Sequence, residues 1–143
     1  MLIHAHSGLR WLVLGFLVFA VVNALMKMVG NKEFTAKDGK LNFLTPRMME
    51  VQFLIGIVLY FVSGRVVALG DAMGDATNRF FALEHPLAMI IAVGLVSVGS
   101  AKVKRGTDSK KRFKTTLIFF GLALLIVLAM IPWPFQDYGT AWF

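Results

Sequence analysis

Four long apolar blocks, separated by short segments that hold almost all of the charge, constrain this chain more than any other feature. A helix that crosses a bilayer needs about 20 mostly apolar residues. Only 16% of the 143 residues are charged, against about 25% in an average soluble domain. The blocks therefore predict a single transmembrane domain over residues 1–143. The predicted spans are 7–29, 48–69, 85–101 and 115–132.

The composition of the blocks argues against a soluble helical bundle. Helices of a soluble bundle need a polar face toward water, and these blocks have almost none. The first two blocks reach spanning length only if Arg10 and Arg65 extend their charged ends to the headgroups. The N-terminus lacks the basic region and small-residue cleavage site of a signal peptide. We therefore expect the first block to remain as a helix.

Lysine and arginine are concentrated in two connecting segments. Five of the fifteen basic residues lie between residues 27 and 50, and seven lie between residues 102 and 114. The other three are Arg10, Arg65 and Arg79. Loops rich in Lys and Arg stay in the cytoplasm, so both segments are predicted to be cytoplasmic and both termini to be outside. The net charge of +7 is thereby explained by topology, without a nucleic-acid partner.

An up-down bundle of four transmembrane helices is the predicted all-α fold, because short connections favour antiparallel neighbours. All three tryptophans, Trp11, Trp133 and Trp142, fall on the predicted outer side, where aromatic anchoring at the membrane interface is common. Small residues are expected to let the helices approach closely. These are Gly8, Gly15, Gly56, Ala88, Ala92 and Gly94.

The histidines are the strongest candidates for chemistry. His6 and His85 lie on helices that both begin outside, so we expect their imidazoles at similar depth. Neutral imidazole binds haem iron, zinc and copper. One ring from each helix would provide the two axial ligands of a haem. Arg10, four residues after His6 and on the same helical face, would then pair with a haem propionate.

Simpler interpretations of the same residues remain open. Interfacial histidines also hydrogen-bond to headgroups, loops or water. His4 and His6 are two residues apart and point in different directions on a helix, so at most one of them faces the bundle. The segment Glu84-His85-Pro86 also reads as a helix start. A third interpretation is a zinc or copper site made by His4, His6, Glu84 and His85.

Other polar residues carry weaker signals. Four of them lie in or beside the apolar blocks, and the sequence puts most of them toward the cytoplasmic side: Asn23, Glu50, Gln52 and Tyr60. Glu50 is expected to pair with Lys27, Arg47 or Lys102, since polar groups in membranes are usually paired. A quinone headgroup site or a proton entry site is the functional alternative.

Several kinds of chemistry are excluded by residue type. Cysteine is absent, which excludes disulfides, thiolate metal sites and iron–sulfur ligation. The sequence also contains no HExxH, Walker or GxSxG motif.

Three segments carry a resemblance to a known family: His6-Ser-Gly-Leu-Arg-Trp11, Glu84-His85-Pro86 and Pro132-Trp-Pro134 with the Gly-Thr-Ala-Trp-Phe end. Over its whole length the chain resembles the short four-helix inner-membrane proteins of Bacteroidota that are catalogued as "cytochrome B". Gln52 and Gly56 also match that pattern. The resemblance implies a b-type haem protein that passes electrons within the bacterial inner membrane. The chain lacks the two deep histidine pairs of di-haem cytochromes, so one haem near the periplasmic face is expected.

Two functional hypotheses therefore stand. One is a cytochrome-like protein with haem b bound by His6 and His85 and with Arg10 beside a propionate. The other is a non-enzymatic accessory or assembly subunit of a larger membrane complex. The small size of the chain favours a partner complex or a homo-oligomer, in contact with membrane lipid.

Overall fold

The computed structural model describes residues 1–140 and Trp142. It has four long helices, two short ones and a π-helical turn, with no strand in the described part of the chain. The elements in chain order are α1 (Leu2–Val29), α2 (Ala36–Val62), α3 (Leu69–Ala72), α4 (Ala76–Arg79), the π turn (Phe80–Glu84), α5 (His85–Arg105), α6 (Ser109–Met130) and a 3-10 turn (Pro134–Gln136). The predicted all-α four-helix fold is confirmed.

The four long helices are arranged as a ring. α1 packs against α2 and α6, and α5 packs against the same two helices, so α1 and α5 face each other across a diagonal. The core between them is apolar and is filled by side chains such as Leu17, Ala92, Val96 and Phe120, all fully buried. Both described chain ends lie at one end of the bundle, which we call the outer end. The opposite end, which carries the basic loops, is called the inner end.

The outside of the bundle is apolar on every side. Leu12, Phe61, Ile90 and Leu125, one from each long helix, are each more than half exposed. Exposed apolar surface on this scale is not tolerated by a soluble monomer. All four helices are long and apolar enough to cross a membrane. Lipid is therefore the environment that this surface fits.

The second helix differs from its predicted span. It begins at Ala36, within a segment that the charge pattern assigned to a loop, because Thr35 and Asp38 form a capping box there. It passes through Pro46 without ending. It ends at Val62, before the predicted end at residue 69, because Gly64 adopts a positive φ of 68° that terminates helices.

The third long helix also begins earlier than expected. α4, the π turn and α5 are continuous, so Glu84-His85-Pro86 lies within a helical run and does not start one. In the π turn the backbone is wound more loosely than in an α-helix. This winding brings residues five apart together: Arg79 Nε donates to Glu84 Oε1 at 2.7 Å, and the Phe80 and His85 ring centres are 5.7 Å apart.

The small residues divide into two groups. Ala92 is fully buried in the core, as expected, and Gly56 contacts a neighbouring helix. Gly8, Gly15 and Gly94 instead face open space, where an added Cβ would touch nothing. The expectation of close helix contact at those three glycines is wrong, because their faces point away from the other helices.

Candidate functional site

The structure brings His6 and His85 together at the outer end of the bundle. Their ring centres are 6.5 Å apart, with the ring planes at 77° to each other. The two imidazoles approach each other from α1 and α5, which are diagonal helices of the bundle. Two imidazoles on opposite sides of one metal ion, with metal–nitrogen bonds of about 2 Å, have ring centres roughly 6 Å apart. The observed separation is close to that value.

The orientation of the His85 ring is fixed by the end of α6. Nδ1 of His85 lies 2.8 Å from the carbonyl oxygen of Met130, one of the carbonyls that a helix C-terminus leaves without an intrahelical donor. A carbonyl can only accept, so Nδ1 carries the proton and donates. The other ring nitrogen, Nε2, is therefore unprotonated in the neutral ring and has a free lone pair. Metal-binding histidines commonly have this arrangement.

α2 holds His6 from the other side. Gly56 lies against the His6 ring, where an added Cβ would be 3.2 Å from Cε1. Gln52 Nε2 donates to the backbone oxygen of His6 at 2.8 Å. The placement of Gln52 at the cytoplasmic start of helix two is thus wrong, because α2 begins at Ala36 and brings Gln52 near the outer end. Two buried atoms of this contact, His6 Nδ1 and Gln52 Oε1, have no hydrogen-bond partner.

Arg10 is buried beside this pair, with 9% of its surface exposed. Its Nη2 donates to the carbonyl of Trp142 at 2.7 Å, and the Trp11 indole donates to the same oxygen at 3.0 Å. Within residues 1–140 and Trp142, its Nε has no hydrogen-bond partner and no carboxylate forms an ion pair with it. Arg10 is therefore a buried cation whose charge is not balanced by these residues.

The π turn and the C-terminal tail complete the surroundings of His85. Phe80 stacks on Tyr138 of the tail with ring centres 4.4 Å apart and lies beside His85. On the other side of the turn, Tyr60 of α2 donates to the carbonyl of Ala82 at 3.0 Å. These contacts hold the turn against α2 and the tail, and so fix the start of α5.

The proposed four-ligand zinc or copper site is not assembled. His4 is exposed, and Glu84 is paired with Arg79. Within residues 1–140 and Trp142, no group of three or more His, Asp or Glu side chains is placed to hold a metal ion. His4 and His6 do point in different directions, as their spacing predicts.

Glu50 has a partner that the sequence predicted. It pairs with Arg47 at 2.6 Å and accepts from Ser97 at 3.1 Å. Lys27 pairs with Asp38 instead, at 2.8 Å, and Asn23 donates to the same carboxylate at 2.9 Å. These residues satisfy one another at the inner half of the bundle, which fits a structural role.

Two partners of the site had no usable signal in the sequence. The Met130 and Trp142 contacts use backbone carbonyls, which any residue supplies. Both carbonyls lie more than forty positions along the chain from the histidine or arginine that they contact.

A groove of about 460 Å³ on the lipid-facing side of α1 includes neither histidine. Its lining is Trp11, Leu14, Gly15, Val18, Phe19 and Val22.

Comparison of the chain with protein-family profiles, curated proteins and solved structures finds no match in any of the three.

Proposed function

We propose that His6 and His85 would bind the iron of one haem b near the outer face of a bacterial inner membrane, and that the protein passes electrons within that membrane. The observation that carries the proposal is the pair of imidazoles with ring centres 6.5 Å apart, in which His85 Nδ1 donates to the carbonyl of Met130. That hydrogen bond leaves Nε2 of His85 free to bind iron. Haem, when bound, supplies the one-electron redox chemistry.

The surrounding residues fit such a group in two further ways. Arg10 is a buried cation with no acidic partner among residues 1–140 and Trp142, and a haem propionate has the charge and acceptors to match it. Gly56 lets the His6 ring lie directly against α2, since an added Cβ would be 3.2 Å from Cε1, and this contact helps to fix the position of the ring.

The test is a reduced-minus-oxidised visible spectrum of the protein purified in mild detergent from a haem-competent host. We expect a Soret band and sharp α and β bands, which mark low-spin haem with two nitrogen ligands. His6→Ala and His85→Ala should each lose these bands. His4→Ala is the matched control and should keep them, because His4 is exposed on the same helix.

Loss of ligation can be separated from loss of fold. Added imidazole should restore the low-spin bands of His6→Ala if the side chain acts as a ligand. A flat spectrum from folded, unmodified protein, obtained in a host with ample haem, contradicts the proposal.

The second candidate is a non-enzymatic accessory subunit of a larger membrane complex. The same contacts support it, because His85 to Met130 and Gln52 to His6 join neighbouring helices without any ligand. This candidate predicts a colourless protein that co-purifies in fixed stoichiometry with other membrane proteins. A monodisperse red protein of its own mass would contradict it.

A further inference from the structure

The inner end of the bundle joins the two basic loops into one surface. The backbone N–H of Phe34, in the first loop, donates to Ser109 Oγ at the start of α6, at 2.8 Å. The Phe34 ring lies 5.2 Å from the ring of Phe113. The Arg112 guanidinium lies 3.6 Å above the Phe34 ring, and its Nε donates to the carbonyl of Val103. The first loop is thereby fixed against the turn between α5 and α6.

Most basic side chains on this joined surface are exposed and have no acidic partner. In the described part of the chain, the ion pairs at this end are Lys27 with Asp38 and Arg47 with Glu50. The side chain of Asp108 caps α6 by accepting from a backbone N–H. The exposed cations that remain are called the basic surface here. They are Lys32, Lys37, Lys40, Lys102, Lys104, Arg105, Lys110, Lys111 and Lys114.

The basic surface lies at the level of the membrane headgroups. The apolar run of α5 ends at Ala101 and that of α6 begins at Thr115, yet both helices continue past these points to Arg105 and Ser109. The basic residues are thus carried on helix just beyond the apolar part. Long Lys and Arg side chains at this level place their charges among the lipid phosphates.

We propose that the basic surface binds the phosphates of anionic phospholipids in the leaflet at the inner end. Orientation in the membrane depends only on how many Lys and Arg residues a loop carries. Here the contacts of Phe34 and Arg112 also hold the two loops together, so the unpaired charges form a single multivalent site. Several phosphates, or one lipid with two phosphates, match that arrangement better than a single charge does.

The experiment measures lipid binding to the purified full-length protein in detergent by native mass spectrometry. Cardiolipin, phosphatidylglycerol and phosphatidylcholine are added in turn. The test variant combines Lys104→Gln, Arg105→Gln, Lys110→Gln and Lys111→Gln, all at exposed positions. We expect the parent protein to prefer the anionic lipids, and the variant to bind them at least about ten-fold more weakly. Binding of phosphatidylcholine should not change.

Two control variants test whether the loss of lipid binding results from the loss of positive charge on the basic surface. A variant with Lys104→Arg, Lys110→Arg and Lys111→Arg keeps the charge and should bind like the parent. Arg65→Gln removes an exposed charge at the outer end and should have no effect. Equal anionic-lipid binding by the Gln variant and the parent would overturn the proposal. So would full displacement of lipid by an equal concentration of inorganic pyrophosphate, which would assign the surface to soluble phosphates. None of these results depends on haem.

Discussion

Gly99→Ala should weaken the bundle, because α5 packs tightly against α6 at this residue. A Cβ added at Gly99 would lie 2.5 Å from Cβ of Phe119 and 2.9 Å from its Cγ. Cβ is attached directly to the backbone, so rotation of the Phe119 side chain cannot move it away. The two helices themselves have to separate.

The size of the effect follows from two opposing contributions. Carbon atoms pack at about 3.5–4 Å, so the helices must part locally by about 1 Å. Overpacking of this kind costs about 1–3 kcal/mol. Replacing a helical glycine by alanine recovers at most about 1 kcal/mol through helix propensity. The expected net loss in the free energy of unfolding is therefore about 0–2 kcal/mol relative to the parent, and about 1–3 kcal/mol relative to a Gly→Ala change that meets no neighbour.

Gly94→Ala and Gly121→Ala are matched controls in the same two helices. An added Cβ meets nothing within 4 Å at either position, so only the propensity contribution applies. We expect these variants to be as stable as the parent or slightly more so. The assay is equilibrium unfolding in mixed micelles with increasing SDS, followed by circular dichroism. If Gly99→Ala is as stable as the two controls, the inferred contact between α5 and α6 is wrong.

Three further perturbations test contacts elsewhere in the bundle. Thr116→Val removes the buried hydrogen bond, 2.9 Å long, from Thr116 to Asn42. It should lower the free energy of unfolding by about 1 kcal/mol in the same assay. An unchanged free energy of unfolding would mean that Asn42 finds another donor. Asp38→Asn leaves the half-buried Lys27 ammonium without its carboxylate and should lower the free energy of unfolding by about 2 kcal/mol. The control is Lys37→Gln, which changes an exposed position and should leave the free energy of unfolding unchanged. Tyr60→Phe frees the π turn from α2 and should speed amide hydrogen exchange at residues 80–84 without changing exchange in α6; unchanged exchange at the turn would show that Tyr60 does not hold it.

The helix count and the lipid-facing surface could be predicted from the sequence, because hydropathy alone determines them. A backbone in lipid has to satisfy its hydrogen bonds internally, so each apolar block long enough to span forms a helix. Leu12 and Leu125 are exposed and apolar for the same reason. The side of the membrane on which each end lies stays a prediction from the distribution of Lys and Arg.

The helix ends in the polar segments could not be predicted from hydropathy. Residues 36–47 carry four charged residues, Lys37, Asp38, Lys40 and Arg47, and resemble a loop by their charge, yet α2 begins there. The capping box of Thr35 and Asp38 stabilises the start of α2. Lys27 and Asn23 reinforce it, because both donate hydrogen bonds to the Asp38 carboxylate. The capping signal is present in the sequence, but its weight depends on partners in α1 that only the folded bundle brings near.

The contact between His6 and His85 could be predicted only in part from the depth of each residue in the membrane. Two helices that begin on the same side place their first residues at similar depth, which predicts that the rings are level but not that they face each other. The surroundings of His85 depend on the π turn, since one extra residue in a turn rotates everything before it, such as Arg79, around the helix axis relative to α5. The turn leaves two traces in the structure, the pairing of Arg79 with Glu84 and of Phe80 with His85 across five positions. In a regular α-helix those partners would lie on different faces. A pair of complementary residues five apart, just before a histidine on a membrane helix, is therefore the sequence pattern by which such a turn could be found in other chains.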